Sequence, residues 1–166
     1  MCSAAVQKLR SGSTISAVLP SGWEFKESYT FLAPDRPANV IFSTEPLPAD
    51  MDSRAYAFEQ GVLLKSEFPG FEQRGPLERF PLGGLTDGLL RIFSWSPRPG
   101  EEIHQIQVYA ARSGRGYIAT ATSRDMREIA SGSELFAALR SLQVDMEAAA
   151  NFSPVPRDTD QSEIER

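Results

Sequence analysis

Apolar and polar side chains alternate along the first part of the chain, and a period of two is typical of β-strands with one buried face. Between residues 23 and 31, the odd positions carry mainly aromatic side chains, whereas even positions are polar, as at Ser28 and Thr30. This segment is therefore predicted as a strand with an aromatic face and a hydrophilic face. Similar patterns predict strands over residues 14–19 and 39–44.

A helix is predicted from the N-cap residue Asp52 to about Phe68, because apolar residues in this segment follow a helical period. A helix that lies on a sheet needs only one apolar stripe, yet this helix is apolar on two sides. The second side therefore indicates either a covering loop or a groove for a partner. The first side contains Met51, Ala55, Phe58 and Val62, and the second contains Tyr56, Gln60, Leu63 and Leu64.

The second half of the chain predicts four consecutive strands and a second helix. The glycines of Gly83-Gly84 and Ser113-Gly114 mark tight hairpin turns. A helix near Ser133 has a single apolar stripe. The strands are predicted over residues 71–80, 85–95, 102–111 and 115–122, and the helical stripe contains Leu135, Leu139 and Leu142.

The strand over residues 102–111 places Ile103, Gln105, Gln107 and Tyr109 on one face. Amides beside apolar groups suit protein recognition, because the amides can bond to exposed backbone while the apolar groups exclude water. The same mixture is also ordinary on an antiparallel sheet with one hydrated side. The spacing leaves both interpretations open.

The order of these elements predicts an α+β domain, with an antiparallel sheet of about six or seven strands flanked by two helices. We assign the domain to residues 14–146 of the 166-residue chain. Residues 1–13 are predicted to be flexible. Residues 147–166 are rich in Pro, Ser and acidic residues and are predicted to form a disordered tail.

Composition limits the function classes. The chain has 17 basic and 22 acidic residues, with no basic stripe, so nucleic acid is not an expected partner. The single cysteine, Cys2, excludes an internal disulfide. No apolar segment reaches the roughly 20 residues that span a bilayer, and no export leader is recognisable. We therefore expect a cytoplasmic protein without direct membrane insertion.

Catalytic and metal-binding motifs are not expected. His104 is the only histidine, and it alternates with apolar residues in a strand. Glu101 and Glu102 would point to opposite faces of a strand and so cannot easily act as an acid–base pair. A Gly-x-Gly-x-x-Ala match at residues 114–119 opens a β-segment instead of a helix, which excludes dinucleotide binding. The sequence predicts no enzyme and no cofactor.

Several short motifs, in this order, resemble DcrB-related proteins over roughly residues 14–144. Each motif is short, but their shared order and spacing make the resemblance fairly specific. The motifs are Leu-Pro-Ser-Gly-Trp at 19–23, Asn-Val-Ile-Phe-Ser at 39–43, Glu-Pro-Leu-Pro at 45–48, Tyr-Ala-x-x-Gln at 56–60, Phe-Pro-Gly-Phe at 68–71, Leu-Gly-Gly at 82–84 and Gln-Ile-Gln-Val-Tyr at 105–109.

The resemblance implies a PsbP-like fold, an antiparallel sheet flanked by helices. One branch of the family consists of exported lipoproteins, whose leader this chain is not expected to have. The other consists of cytosolic Eag chaperones of type VI secretion, which bind N-terminal transmembrane helices of effectors, usually as homodimers. Gln60 and Gln107 match groove glutamines of these relatives, whereas Ser28 and Thr30 stand where relatives often have aliphatic residues.

The resulting hypothesis is a cytosolic chaperone that shields apolar N-terminal helices of a secreted effector before export. The alternative is a non-catalytic PsbP-like binding or scaffold module with a different protein partner. The identity of the client is left open by the sequence. The expected partner-binding residues are Gln60, Gln107, Ser28, Thr30, Leu63, Gln105 and Tyr109.

Overall fold

The computed structural model describes residues 26–144. The strand predicted over residues 14–19 and both terminal segments lie outside these residues. The strands are β1 Glu27–Leu32, β2 Asn39–Pro46, β3 Glu72–Gln73, β4 Glu78–Arg79, β5 Leu89–Trp95, β6 Ile103–Arg112 and β7 Arg115–Ser123. The helices are α1 Ser53–Glu67 and α2 Glu134–Ser141, with a 3₁₀ turn over Met126–Ile129.

The seven strands form one antiparallel sheet, which confirms the predicted α+β class. Its order is β1-β2-β7-β6-β5-β3, and β4 also pairs with β5. The hairpin β1–β2 and the meander β5–β6–β7 are adjacent in the sheet because β7 pairs with β2. The chain between β2 and β5 supplies α1, β3 and β4, so α1 connects the two groups of strands.

One face of the sheet, the core face, packs against α2 and the 3₁₀ turn. Ile106 and Val108 are fully buried at its centre, and Leu139 of α2 packs in the same cluster. Ser133 caps α2 by accepting a hydrogen bond from the backbone N–H of Phe136 (3.2 Å). The predicted single apolar stripe of this helix is therefore confirmed.

The other face of the sheet carries α1, which crosses β6 and β5. Asp52 caps this helix, because its carboxylate accepts a hydrogen bond from the N–H of Ala55 (2.7 Å). The backbone N–H of Phe68 bonds to the carbonyl of Leu64 at the C-terminal end (2.9 Å). The predicted bounds of the helix are confirmed.

The segment predicted as one strand over residues 71–80 is wrong in extent, because the structure has two strands of two residues each there. Gly75 lies between them with φ of 82°, and Pro76 has no N–H for a ladder bond. The tight turn at Gly83-Gly84 is confirmed, since Leu82 and Leu85 exchange both backbone hydrogen bonds. Strand β5 begins only at Leu89, four residues later than predicted.

Within residues 26–144, no helix is long and apolar enough to cross a membrane.

Candidate functional site

The face of the sheet beside α1 is rich in amide and hydroxyl side chains, and we call it the polar face. Thr30 of β1 pairs with Ile41, which pairs with Thr120, which in turn pairs with Gln107. These four side chains therefore share one row across the sheet. The neighbouring rows on the same face contain Ser28, Ser43, Ile118 and Tyr109, and Leu32, Asn39, Thr122 and Gln105.

Beside α1, the polar face has a strip that no helix among residues 26–144 covers, and we call it the uncovered strip. The helix packs on β6 and β5 and reaches Gly116 of β7 and Glu45 of β2 through Tyr56 and Gln60, whereas the rest of β7, β2 and β1 extends past it. Thr30 and Gln107 are three strands apart in their row, a separation of about 14 Å at the usual spacing of neighbouring strands. An α-helix with its side chains is about 10–12 Å wide. The strip therefore has the width of a single helix.

The predicted partner-binding residues of the sheet lie on this face, but their exposure differs. Ser28 and Thr30 on the edge strand are exposed, and Gln107 is half-buried. Gln105 is largely buried, and its Nε2 donates to Oγ1 of Thr122 (2.9 Å). Tyr109 has no exposed surface because α1 covers it, so a partner could touch it only if α1 moved.

Two predicted residues of α1 lie along the border of the uncovered strip. Tyr56, Gln60 and Leu63 have i, i+4 and i+7 spacing, so they share one flank of the helix. Nε2 of Gln60 donates to Oε1 of Glu45 on β2 (3.3 Å), and the hydroxyl of Tyr56 donates to the same oxygen. Leu63 is the exposed member of this flank.

Glu45 is the point on the sheet at which this flank of α1 is fixed. Its other carboxylate oxygen accepts a hydrogen bond from Nζ of Lys26 (2.7 Å). Partial burial raises the pKa of Glu45, but the hydrogen bonds from Lys26 and Tyr56 outweigh burial and hold it below its ordinary value. Burial and the Glu45 carboxylate both raise the pKa of Tyr56. The pair is therefore an ionised carboxylate and a neutral phenol at neutral pH.

A buried arginine holds the opposite flank of α1. Arg91 of β5 is 4% exposed, and its Nη2 donates to the carbonyl of Ala57 (2.8 Å). Its Nη1 donates to the hydroxyl of Tyr109 (3.0 Å) and its Nε to Oε1 of Gln73 (3.1 Å). No carboxylate forms an ion pair with Arg91 within residues 26–144. Within these residues, neutral oxygens and the ring of Tyr109, whose centroid is 5.1 Å from the guanidinium carbon, therefore compensate this buried charge.

Gln107 is linked to this arginine through Tyr109. The Tyr109 hydroxyl accepts from Arg91 and donates to Oε1 of Gln107. Burial, opposed by the neighbouring Arg91 charge, raises the pKa of Tyr109 to about 12. The chain of hydrogen bonds therefore runs from the backbone of α1 through two buried side chains to a half-buried amide on the polar face.

Two glycines allow α1 to approach the sheet. A Cβ at Gly61 would lie 2.4 Å from Nη2 of Arg91, and a Cβ at Gly116 of β7 would lie 2.6 Å from Cζ of Tyr56. Both distances are too short for a non-bonded contact. The absence of side chains at Gly61 and Gly116 is therefore what allows the Arg91 and Tyr56 contacts to form.

The outward side of α1 is apolar, and no other part of the described chain covers it. Phe58 is 69% exposed and Val62 is 56% exposed. The buried residues of the helix are Ser53, Tyr56, Ala57 and Leu64. The expectation of two apolar sides is thus confirmed, but the stripe containing Phe58 and Val62 faces away from the sheet. Tyr56 of the second side packs on Tyr109 of the sheet, so among the described residues this side is covered by the sheet and not by a loop.

The only histidine lies on the core face, away from the polar face. His104 is buried in the same strand face as Ile106 and Val108, as the alternation predicted. Its Nε2 is 3.9 Å from a carboxylate oxygen of Glu102. Over residues 26–144, no group of three or more His, Cys, Asp or Glu side chains could hold a metal ion. The Gly114 match lies in the β6–β7 hairpin, as predicted.

The sequence interpretation missed the polar contacts beneath α1. Alternation correctly puts Arg91 on a face with Leu89 and Phe93, but it does not indicate burial under the helix. Gly61 was the one sequence feature that could have indicated this burial. A glycine in a helix interior is unfavourable and, where it occurs, often marks the close approach of another group. Ser53 gave no such signal, although its hydroxyl accepts from the N–H of Ala111 (2.9 Å) and donates to Asp87 (2.9 Å).

These features define an α+β domain with a polar sheet face beside one anchored helix. No protein-family model matches the sequence, and no curated protein matches it significantly. The fold is similar to that of PA94 from Pseudomonas aeruginosa, a protein of unknown function suggested to be a regulator. The TM-score is 0.63 with 19% sequence identity, over 84% of this chain and 96% of that chain.

A second solved structure has a lower similarity. LpqN, involved in cell envelope biogenesis of Mycobacterium tuberculosis, gives a TM-score of 0.37 with 22% identity, over 71% of this chain and 61% of that chain. That value is too low to support an argument. The likeness to PA94 establishes the fold, and the function has to be argued from the residues of the polar face.

Proposed function

We propose that this protein is a cytosolic chaperone that binds and shields the N-terminal transmembrane helices of a type VI secretion effector before export. The observation that carries the proposal is the uncovered strip of the polar face. It is about as wide as one helix and has α1 along one side. The residues expected from sequence that lie on or beside it are Ser28, Thr30, Gln105, Gln107, Gln60 and Leu63.

The side chains of the strip suit an apolar helix that also carries small or polar residues. Transmembrane helices expose apolar side chains all round, and such surfaces aggregate in water unless they are covered. Where two such helices pack, small residues allow close approach, and hydroxyl or amide side chains bond across. Thr30, Thr120 and Gln107 offer these polar groups in one row. Ile41 lies between Thr30 and Thr120 in this row, and Ile118 lies in the neighbouring row. Both can supply apolar contact.

Unsatisfied acceptors on the polar face also support a binding role. Oε1 of Gln105 and Oδ1 of Asn39 are buried and have no hydrogen-bond donor among residues 26–144. Both side chains flank Thr122 in one row. Buried acceptors without donors are uncommon in native proteins. A client with serine, threonine or amide groups could supply such donors after a small side-chain rotation.

The test is co-expression with the N-terminal segment of an effector encoded beside this protein, followed by affinity purification of the segment. We expect this protein to co-purify with the complete segment but not with a version from which the apolar helices are deleted. Equal recovery with both versions would contradict the proposal, because binding would then not require the helices. A segment that stays soluble alone and binds nothing would also contradict it.

A matched pair of variants on β1 tests the face. Thr30 and Phe31 are neighbours in one exposed strand, and their side chains lie on opposite faces. Thr30→Arg places a charge in the strip and is expected to weaken client binding by on the order of tenfold. Phe31→Arg is expected to leave binding unchanged. Equal loss in both variants, with the fold intact by circular dichroism, would place the client elsewhere.

The second candidate is a non-catalytic binding module with a different protein partner. The same strip favours it, because mixed amide and apolar surfaces serve many protein contacts. Neither candidate includes a catalytic step or a cofactor. If Thr30→Arg blocked capture of a partner that has no apolar N-terminal helix, the second candidate would replace the first.

A further inference from the structure

The carboxamide of Gln107 is oriented by a buried cation. A guanidinium can only donate hydrogen bonds, and Nη1 of Arg91 donates to the Tyr109 hydroxyl. That hydroxyl has a single hydrogen, which it donates to Oε1 of Gln107. Rotating the amide by half a turn would place N–H donors against the hydroxyl hydrogen. Nε2 of Gln107 is therefore directed away from Tyr109, and no acceptor among residues 26–144 bonds to it.

The carboxamide of Gln60 is oriented in the opposite sense by a carboxylate. An ionised carboxylate can only accept hydrogen bonds, and Oε1 of Glu45 accepts from Nε2 of Gln60 (3.3 Å). Hydrogen bonds from Lys26 and Tyr56 hold the pKa of Glu45 below its ordinary value, so it is ionised at neutral pH. Rotating this amide would place two oxygens together. Oε1 of Gln60 is therefore the unbonded end of the amide within the described part of the chain.

The two amides lie along the same section of the border between α1 and the uncovered strip. Gln60 directly precedes Gly61, where a Cβ would lie 2.4 Å from Nη2 of Arg91. The same guanidinium is separated from Gln107 only by the Tyr109 hydroxyl. Gln60 and Gln107 are both half-buried, so each keeps some accessible surface. This border therefore presents an N–H donor from the sheet and a carbonyl acceptor from the helix.

We propose that two fixed charges set the hydrogen-bond polarity of the uncovered strip. Through Tyr109, Arg91 makes Gln107 a donor toward the client. Glu45 makes Gln60 an acceptor. Arg91, Tyr109 and Glu45 are positioning residues, because each acts on the client through one of the two amides.

This inference rests on the proposed function and adds a requirement for the client helix. Beyond the first turn of a helix, every backbone N–H is already bonded within the helix. The donor for Oε1 of Gln60 must therefore come from a client side chain. A serine or threonine hydroxyl is the smallest group that both donates and accepts, and such residues bond across apolar helices. We expect the client helix to turn a serine or threonine toward Gln60 and Gln107.

NMR of the side-chain amides in isotope-labelled protein tests the polarity without a client. One Nε2 proton of Gln60 should exchange with solvent more slowly than either proton of Gln107, because only Gln60 donates to a protein acceptor. Gln60→Leu and Gln107→Leu assign the signals. Slower exchange at Gln107, or equal exchange at both residues, would overturn the inference and leave the proposed function standing.

Tyr109→Phe tests the link from Arg91 to Gln107 in the same spectra. Loss of the hydroxyl releases Oε1 of Gln107, so the signals of its NH2 group should shift. Tyr117→Phe is the matched control, because it removes a buried tyrosine hydroxyl on the core face and should leave these signals in place. Unchanged Gln107 signals in Tyr109→Phe would overturn the positioning role.

Gln107→Glu separates polarity from stability. The new carboxylate still accepts from Tyr109 but offers no N–H to the strip, so client affinity should fall as far as in Gln107→Leu. Wild-type affinity in Gln107→Glu would show that the client donates to this residue, which would overturn the assigned polarity.

The requirement for a hydroxyl is tested on the effector segment of the co-expression assay. Replacing the serines of its apolar helices by alanine and the threonines by valine should lower affinity by about three- to tenfold, the value of one or two hydrogen bonds. Exchanging serine and threonine for each other keeps every hydroxyl and is the control. Unchanged binding of the hydroxyl-free segment would overturn this inference alone. Failure of the unaltered segment to bind would overturn the proposed function and this inference with it.

Discussion

The two helices lie on opposite faces of one sheet and are attached by different physical means. Helix α2 buries Leu135, Phe136 and Leu139, so it is held by apolar packing. Helix α1 is nearly twice as long, yet Ser53 and Ala57 on its buried side make polar contacts with the sheet. Tyr56 is also buried there, whereas Phe58 and Val62 point outward. This difference indicates that α2 stabilises the domain by apolar packing, whereas α1 is fixed in position by polar contacts and leaves Phe58 and Val62 exposed.

The largest expected effect concerns α2. Leu139→Ala removes a fully buried side chain from the core face and should lower the free energy of unfolding by about 2–5 kcal/mol. The matched change in α1 is Val62→Ala, which removes an exposed side chain and should cost about 0.5 kcal/mol or less. Urea denaturation measures both. Similar costs would show that the outward stripe of α1 is buried in the folded chain.

The next effect tests how closely α1 approaches the sheet. Gly→Ala in a helix interior ordinarily gains about 1 kcal/mol. Here a Cβ would lie 2.4 Å from the Arg91 guanidinium, so Gly61→Ala should instead lower the free energy of unfolding by about 1–2 kcal/mol, because the bond from Arg91 to Ala57 is displaced.

A double-mutant cycle identifies the cause of that loss. In an Arg91→Ala background, the clash is absent and Gly61→Ala should be neutral or stabilising in urea denaturation. If Gly61→Ala destabilised both backgrounds equally, the contact between α1 and Arg91 would not be responsible.

A smaller effect is expected at the end of the hydrogen-bond chain from α1. Gln107→Leu removes the acceptor of the Tyr109 hydroxyl and should cost about 1 kcal/mol with the fold intact. Because Gln107 also lies on the polar face, client recovery should fall in the same variant. Gln107→Glu keeps an acceptor and is the control for stability. Unfolding of Gln107→Leu by circular dichroism would contradict the placement of this residue.

The sheet and both helices could be predicted from periodicity, because long alternating strands and capped helices leave strong local signals. The faces of β1 and β6 were predictable for the same reason, so the sequence alone assigns Thr30 and Gln107 to particular faces of their strands. Alternation within a strand does not, however, indicate which strands lie side by side in the sheet. That Thr30 and Gln107 lie in one row depends on the pairing of β2 with β7, a long-range contact.

The orientation of α1 could not be predicted from its hydrophobic pattern. The helix has two apolar sides, and the pattern does not indicate that the side with Tyr56 faces the sheet, where Arg91 and Glu45 offer partners for polar groups of the helix. Such partners come from distant parts of the chain. The broken strand at residues 71–80 was missed for a more local reason, since the turn at Gly75-Pro76 was not recognised as an interruption.

The smallest expected effect is the pH dependence of the α1 attachment. The pKa of Glu45 is lowered in the folded protein, so its ionised form stabilises the fold above its ordinary pKa, and this contribution is lost as the pH falls through the folded value. Glu45→Gln should cost under about 1 kcal/mol at pH 7, because Lys26 is exposed. The cost should shrink toward zero below about pH 4.

Denaturation of wild type and Glu45→Gln at several pH values measures this, with Lys26→Met as a second variant that removes the same ion pair. Lys26→Met keeps the Glu45 carboxylate and its bond from Tyr56 but removes the bond from Lys26 that lowers the pKa of Glu45, so the pH dependence seen in wild type should shrink in this variant too. A difference between wild type and Glu45→Gln that stayed constant from pH 7 down to about pH 3 would contradict an ionised anchor. Leu139→Ala removes an apolar side chain of α2 and is the control, because its cost should be the same at each pH.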